Sequence, residues 1–229
     1  MWKMRHDQIA SSNLTTAPPQ PPSKTPARKI GRGRPGVHIV QFPSEKNQRV
    51  IPVEGRLEAD MCLLLEFDPA IKSYRSQPLT VRLEDEHGLF NHTPDFEVQP
   101  TGGRAFLLEV KPHARASQSF RAQRIEVARQ HFLGMDLEYV LRTERHIRIE
   151  PRITTLRNLY GRARTVSREG LIDLLALLPK DGSPATLKEI AAQMPSNLGH
   201  IGRGLLEGWV EVELEKPIGP NWLVWRRPR

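Results

Sequence analysis

The stretch Arg104-Ala-Phe-Leu-Leu-Glu-Val-Lys111 constrains the fold of this chain more than any other. Its apolar run, entered from a Gly102-Gly103 turn, reads as a short buried strand, and the two-residue period of a strand sends Glu109 and Lys111 to the same face. A carboxylate and an ammonium then stand side by side. Asp95 begins or lies within the preceding strand, so hairpin pairing brings its carboxylate next to Glu109 and makes a hard-oxygen pocket suited to Mg²⁺. Lys111 would sit beside the water of such a site. An amphipathic strand with alternating charges on its wet face also produces Glu-x-Lys, so the motif alone does not separate a metal site from an ordinary sheet.

Other carboxylates and cysteines narrow the choice. From Gly55 to Phe67 the pattern is helical, with Leu57, Met61, Leu64 and Leu65 facing inward and Glu58 at the margin of that face. A partly desolvated carboxylate there needs a cation or hydrogen bonds. The single Cys62 lies among Met61, Leu63, Leu64 and Leu65 and reads as a small buried apolar residue. No disulfide framework is possible within one chain, which fits a reducing cytoplasm. Without a bilayer-spanning apolar run or a cleavable leader, a cytoplasmic protein with no membrane partner is expected. The eight histidines show no metal-ligand spacing, so a structural zinc site is not expected. His113 follows the active strand as a phosphate contact or a solvent-facing side chain.

Further along, Pro78 to Leu83 and Phe90 to Val98 alternate as two strands joined around His87-Gly88. Phe120 to Phe132 reads as a helix with Ile125, Ala128 and Phe132 inward and Arg121, Arg124 and Arg129 outward. Leu137 to Leu141 is a fourth strand. Helix, three strands, helix, strand is an α/β pattern: a mixed sheet flanked by helices. A helical connector near Ile153 to Arg164 leads to helices at Leu171–Leu178, Thr186–Met194 and Ser196–Glu207. Strands at Trp209–Leu214 and Trp222–Trp225 follow. Three helices and a two-stranded wing describe a small winged helix, whose third helix offers Asn197, His200 and Arg203 to a DNA groove. Protein docking is an equally open use.

Charge is unevenly distributed. The net charge is +8, which suits a polyanionic partner. Residues 1–50 hold nine Lys/Arg against two Asp/Glu, residues 51–150 thirteen against sixteen, and the remainder twelve against eight. A carboxylate-rich centre is thus flanked by basic segments. Ala17 to Pro26 is too rich in proline for helix or central strand. It belongs to a basic tail over 1–36 that ends in Gly31-Arg32-Gly-Arg34-Pro35. Arg32 and Arg34 either enter a narrow minor groove, as in AT-hook peptides, or form a merely basic entry to the fold.

The spacing of Asp95, Glu109 and Lys111 is similar to that of the restriction-endonuclease-like fold. The run Val53 to Pro69 with Glu58, then Tyr74-Arg-Ser-Gln77-Pro78, His92-Thr-Pro-Asp95-Phe and Glu109-Val-Lys111-Pro resembles the TnsA-type endonucleases, the catalytic subunit of heteromeric bacterial transposases. The resemblance covers roughly residues 37–150. It implies catalytic roles for Glu58, Asp95 and Lys111, with Glu109 at the metal-side position where some members carry Gln. It implies a metal-dependent DNA endonuclease that hydrolyses phosphodiesters at the 5′ ends of a transposon. A DDE-type transposase would cut the 3′ ends and an AAA+ ATPase would regulate both. Asp95 and Glu109 would coordinate Mg²⁺, or Mn²⁺ in its place, with the Val110 backbone carbonyl adding an oxygen and Glu58 completing the shell or holding a second ion.

The expected domains are therefore a tail at 1–36, a restriction-endonuclease-like catalytic domain at 37–150, a helical connector at 151–165 and a winged-helix-like domain at 166–229. Arg32, Arg34, Arg121, Arg124, Asn197, His200 and Arg203 are the candidate contacts to transposon-end DNA. Two other readings stand beside this one: a stand-alone restriction or repair nuclease of the same fold, and a non-catalytic regulator built on the winged helix.

Overall fold

The computed structural model describes residues 38–227. The basic tail with Arg32 and Arg34 lies outside the described residues. Two antiparallel strands come first, β1 (Ile39–Ser44) and β2 (Arg49–Glu54). A buried carboxylate fixes their turn. Glu66 accepts hydrogen bonds from the Ser44 hydroxyl, from the backbone N–H groups of Glu45 and Lys46 at 3.0 Å each, and from the Tyr74 hydroxyl at 2.7 Å. Four donors thus replace the water that a buried carboxylate loses. Lys46 reaches the other way and donates to the carbonyls of Asp68 and Ile71.

Gly55 joins β2 directly to helix α1 (Arg56–Phe67), and its φ of 120° is one that residues with a side chain rarely adopt. Asp60 to Phe67 is buried without interruption, so α1 is a central helix covered on more than its apolar stripe. Cys62 is among these buried residues.

The main sheet has the order β3-β6-β7-β8, made of β3 (Ile71–Ser76), β6 (Phe96–Pro100), β7 (Phe106–Val110) and β8 (Tyr139–Arg142). Its first two pairings are antiparallel and β7/β8 is parallel. The parallel crossover runs through α2 (His113–Ala116) and α3 (Ser119–Gly134). Every residue of β7 is buried. Phe106, Leu108 and Val110 join the core shared with α1, whereas Leu107 joins a second core with Ala128 and Phe132 of α3 and Tyr139 of β8. This mixed sheet with a helix on each face is compatible with the expected restriction-endonuclease-like core.

The strand anticipated over Phe90 to Val98 is two strands. β5 (Gly88–His92) pairs with β4 (Val81–Asp85) in a separate hairpin, and β6 begins at Phe96. Pro94 accounts for the break, because it has no N–H to give to a ladder.

Beyond the sheet come α4 (Glu144–Ile147), α5 (Arg152–Ala163), α6 (Arg168–Leu177), β9 (Ala185–Thr186), α7 (Leu187–Gln193), α8 (Asn197–Leu206), β10 (Val210–Val212) and β11 (Leu223–Arg226). The last three strands form a small sheet in the order β10-β11-β9. A reciprocal cap between Thr186 and Glu189 starts α7. The helix read as a connector, α5, is packed rather than bridging. α8 crosses it at Gly202, where a Cβ would stand 2.7 Å from the Leu159 carbonyl oxygen. On its other side Tyr160 stacks on Phe42 with ring centroids 5.3 Å apart. One core cluster consequently runs from the main sheet through α1 and α5 into α8. Among the described residues no helix is long and apolar enough to cross a membrane.

Candidate active site

The antiparallel register pairs Phe96 with Leu108, and one step beyond that pair Asp95 comes opposite Glu109. The Asp95 Oδ2 accepts the Val110 N–H at 2.7 Å, which ties the end of β6 to β7. Lys111 pairs with Glu109 Oε1 and its Nζ lies 4.0 Å from Asp95 Oδ2. The period-two argument is met: one ammonium serves two carboxylates on one face of the sheet. Val110, the expected source of a carbonyl ligand, lines the same cleft, which has a volume of about 1490 Å³.

Glu58, in the first turn of α1, opens into this cleft as well. Its Oε2 accepts the Glu54 N–H at 2.8 Å, a contact made possible by the turn at Gly55. Glu54 in turn accepts from the Gln77 side chain at 3.3 Å. Gln77 is buried with a φ of 47°, and its N–H donates to the Asp95 carbonyl at 2.9 Å. The Gln77-Pro78 turn therefore braces the backbone of Asp95 and a neighbour of Glu58 together.

Electrostatic strain is concentrated here. Burial, with Asp95 and Glu54 nearby, pushes Glu58 up to about 8. Burial and Glu109 push Asp95 up to about 7. Glu109 is also raised, by burial, against the opposing pull of Lys111. For Lys111 burial works against the charge, yet Asp95 and Glu109 outweigh it and hold the ammonium firmly protonated. Desolvation and mutual repulsion thus make the carboxylates of this cleft hold protons that a bound cation would displace.

Two residues without a role in the sequence reading stand behind Glu109. The Tyr139 hydroxyl is 3.2 Å from His92 Nε2, and that nitrogen is 3.8 Å from Glu109 Oε2. Burial, helped by Lys111, pulls His92 down to about 4, so the ring is neutral. Their separation in sequence hid them: His92 ends β5 and Tyr139 begins β8. Glu109 Oε2 itself is buried and has no hydrogen-bond partner. Among the described residues no three His, Cys, Asp or Glu side chains are gathered as a ready ligand set. The hard-oxygen donors and the unbonded Glu109 oxygen together fit a divalent cation.

The candidate DNA contacts fare differently from one another. Arg121 is exposed at the cleft and its Nε donates to the neutral Gln118 at 2.9 Å. Arg124 also lines the cleft, but it pairs with Asp85 at 2.7 Å and lies 4.2 Å from the ring centroids of both Phe90 and Phe120. It staples the β4–β5 hairpin to α3 and is not a loose cation. Arg56 and Arg115, not singled out from sequence, are exposed cations lining the cleft.

On α8 the expected exposed face is absent, because each of the three candidates is engaged with the rest of the fold. Asn197 is buried and donates to the Met194 carbonyl at 2.9 Å. The His200 ring occupies the space beside Gly170. Arg203 pairs with Glu207 at 2.7 Å and with Glu45 at 3.4 Å. The packing of α8 against α5 and α6 consumes the surface a reading helix would present.

No curated protein matches this chain. Residues 68–144 match the model of the TnsA-like endonuclease N-terminal domain. That span runs from the end of α1 to the start of α4 and takes in Asp95, Glu109 and Lys111, leaving Glu58 just upstream. Over that stretch the chain is similar to the TnsA-like endonucleases.

Proposed function

We propose that this protein is the metal-dependent DNA endonuclease subunit of a heteromeric bacterial transposase, hydrolysing phosphodiesters at the 5′ ends of a transposon during cut-and-paste excision. The observation that carries the reading is the pairing of Lys111 with Glu109 and Asp95 in a cleft that Glu58 also lines, with one Glu109 oxygen buried and unbonded. Asp95 and Glu109 would hold one Mg²⁺, for which Mn²⁺ substitutes, with the Val110 carbonyl as a further donor. Glu58 would complete that shell or hold a second ion. When bound, the metal supplies charge neutralisation at the scissile phosphate and a more acidic water.

The chain's own residues do the positioning. Lys111, held protonated, orients the attacking water and stabilises the charge that develops on the phosphate. The Val110 N–H keeps Asp95 aimed at the site. Arg56, Arg115 and Arg121 at the cleft grip phosphates without reading sequence. With α8 packed inside the fold, a winged-helix-like C-terminal part serves better for assembly than for base readout. Specificity then comes from a DDE-type transposase that holds the transposon ends and cuts the 3′ strands, under an AAA+ ATPase regulator, in the bacterial cytoplasm.

The test mixes end-containing DNA and Mg²⁺ with this protein alone, with the transposase alone and with both. Cutting of the 5′ strand only in the mixture is expected, and Ca²⁺ should support binding without cutting. Robust, site-specific double-strand cutting by this protein alone would promote a stand-alone nuclease in place of the transposase subunit.

A further inference from the structure

We infer that the exposed face of α5, together with α4, is a second binding track for duplex DNA, continuous with the catalytic cleft. This inference rests on the nuclease reading above and names where the flanking duplex lies. Residues 142–164 contain seven Arg against two Glu, and α5 itself contains no acidic residue. Its exposed positions are Thr154, Arg157, Asn158, Gly161, Arg162 and Thr165 just beyond its end. They recur at helical spacing and so form one stripe.

The α5 stripe has no large apolar side chain, although Ile149 just before it is exposed and the Thr154 hydroxyl already donates to Glu150 at 2.9 Å; its guanidinium groups are the ones that donate to phosphate oxygens. A protein-docking face would carry apolar anchors. Nothing stands within 4 Å of where a Cβ on Gly161 would be, so a backbone ligand can approach the helix there. Arg162 donates to the neutral Asn158 at 2.6 Å, which positions its guanidinium without cancelling its charge.

The junction with the cleft is Asp60. On α1 it receives Arg148 at 2.7 Å and Arg157 at 2.8 Å, and two arginines on one carboxylate leave a net positive charge. Arg56, which lines the cleft, is one helical turn away from Asp60 on α1. Cations therefore continue from the cleft over Arg56 to Arg148, Arg157 and Arg162. A duplex entering the cleft has its next phosphates within reach of α5.

The test measures binding of the full chain to a duplex of about 30 base pairs in EDTA across a salt series, where affinity falls with each phosphate contact released. Arg145→Glu with Arg162→Glu changes two exposed residues. It should lower affinity about tenfold or more at low salt and make the slope of log K against log salt shallower by about 2. Lys72→Glu with Lys180→Glu, an equal charge change at exposed residues elsewhere, should change both much less. Asp60→Asn keeps a side-chain oxygen for an arginine and removes the negative charge, so affinity should rise, an outcome that misfolding cannot imitate. Equal losses in the two Glu pairs, or an unchanged slope in the Arg145/Arg162 variant, would overturn the track; an acidic protein partner would then be the better occupant of α5. The nuclease reading is judged separately, by Mg²⁺-dependent cutting in the complete transposase mixture.

Discussion

Asp95 Oδ2 receives the Val110 N–H at 2.7 Å, so the carboxylate on one strand is fastened to the backbone between Glu109 and Lys111 on the next. Replacement of Asp95 by Asn keeps an oxygen for that bond and removes the charge. Asp95→Asn and Lys111→Ala should each reduce 5′ strand cutting by at least about 10²-fold, the scale on which single electrostatic groups act in such sites. Circular dichroism should remain that of the parent. Cutting at the parent rate in either variant would remove these residues from the chemistry.

The raised carboxylates make the metal-free protein sensitive to pH. Glu58 moves from 4.5 to about 8 and Asp95 from 3.8 to about 7, so between those limits the native state binds more protons than the unfolded one. Stability is then fully present below about pH 4 and is lost as pH rises through 7 to 8. Melting in EDTA should occur at lower temperature at pH 8 than at pH 5.5, and Mg²⁺ or Ca²⁺ should recover the difference mainly at pH 8. A flat profile with no response to either ion would contradict the crowding argument.

Glu66 should matter more to stability than any exposed charge. Glu66→Ala strands two hydroxyls and two N–H groups that it now satisfies, and the cost should be about 3 to 5 kcal/mol. Glu66→Gln, which retains one acceptor, should lose less. Urea titration distinguishes the two; equal and small losses would show that the β1–β2 turn holds without this anchor.

Packing across α5 gives a different prediction. Gly202→Val forces a branched side chain toward the Leu159 carbonyl, 2.7 Å from where its Cβ must stand. Destabilisation of about 1 to 3 kcal/mol or more should follow. Since one core reaches from the sheet to α8, the full chain should unfold in a single transition, and that variant should lower it as a whole. Two transitions, with only the later one shifted, would mean that the two halves fold independently. For the same reason a chain ended after Arg164 should expose Leu156 and Leu159 and become prone to aggregation.

The chemistry-bearing strand was legible because its face is set by alternation alone, and α1 and α3 because apolar residues recur at three and four. The β1–β2 hairpin carried weaker signals: Pro43 and Pro52 lie in its strands, and its turn is held by Glu66, a residue on another element. β3 reads Ile-Lys-Ser-Tyr-Arg-Ser, too polar to stand out before its neighbours are known. His92 and Tyr139 meet only through pairing of distant strands. The exposure of α8 was misjudged because the glycines at 199, 202 and 204, which had no part in that reading, are what allow it to sink against its neighbours.

The break at Thr93-Pro94 makes the β4–β5 hairpin an excursion from the sheet. β3 and β6 are adjacent strands, and the Gln77 N–H bonded to the Asp95 carbonyl closes the base of the loop between them. Length changes at the hairpin tip around Glu86 and His87 would therefore end at that closure, leaving the register that sets Asp95 against Glu109 untouched. The molecule thus has an adjustable tip mounted on a fixed base: the hairpin can change length at its far end while the two carboxylates keep their alignment.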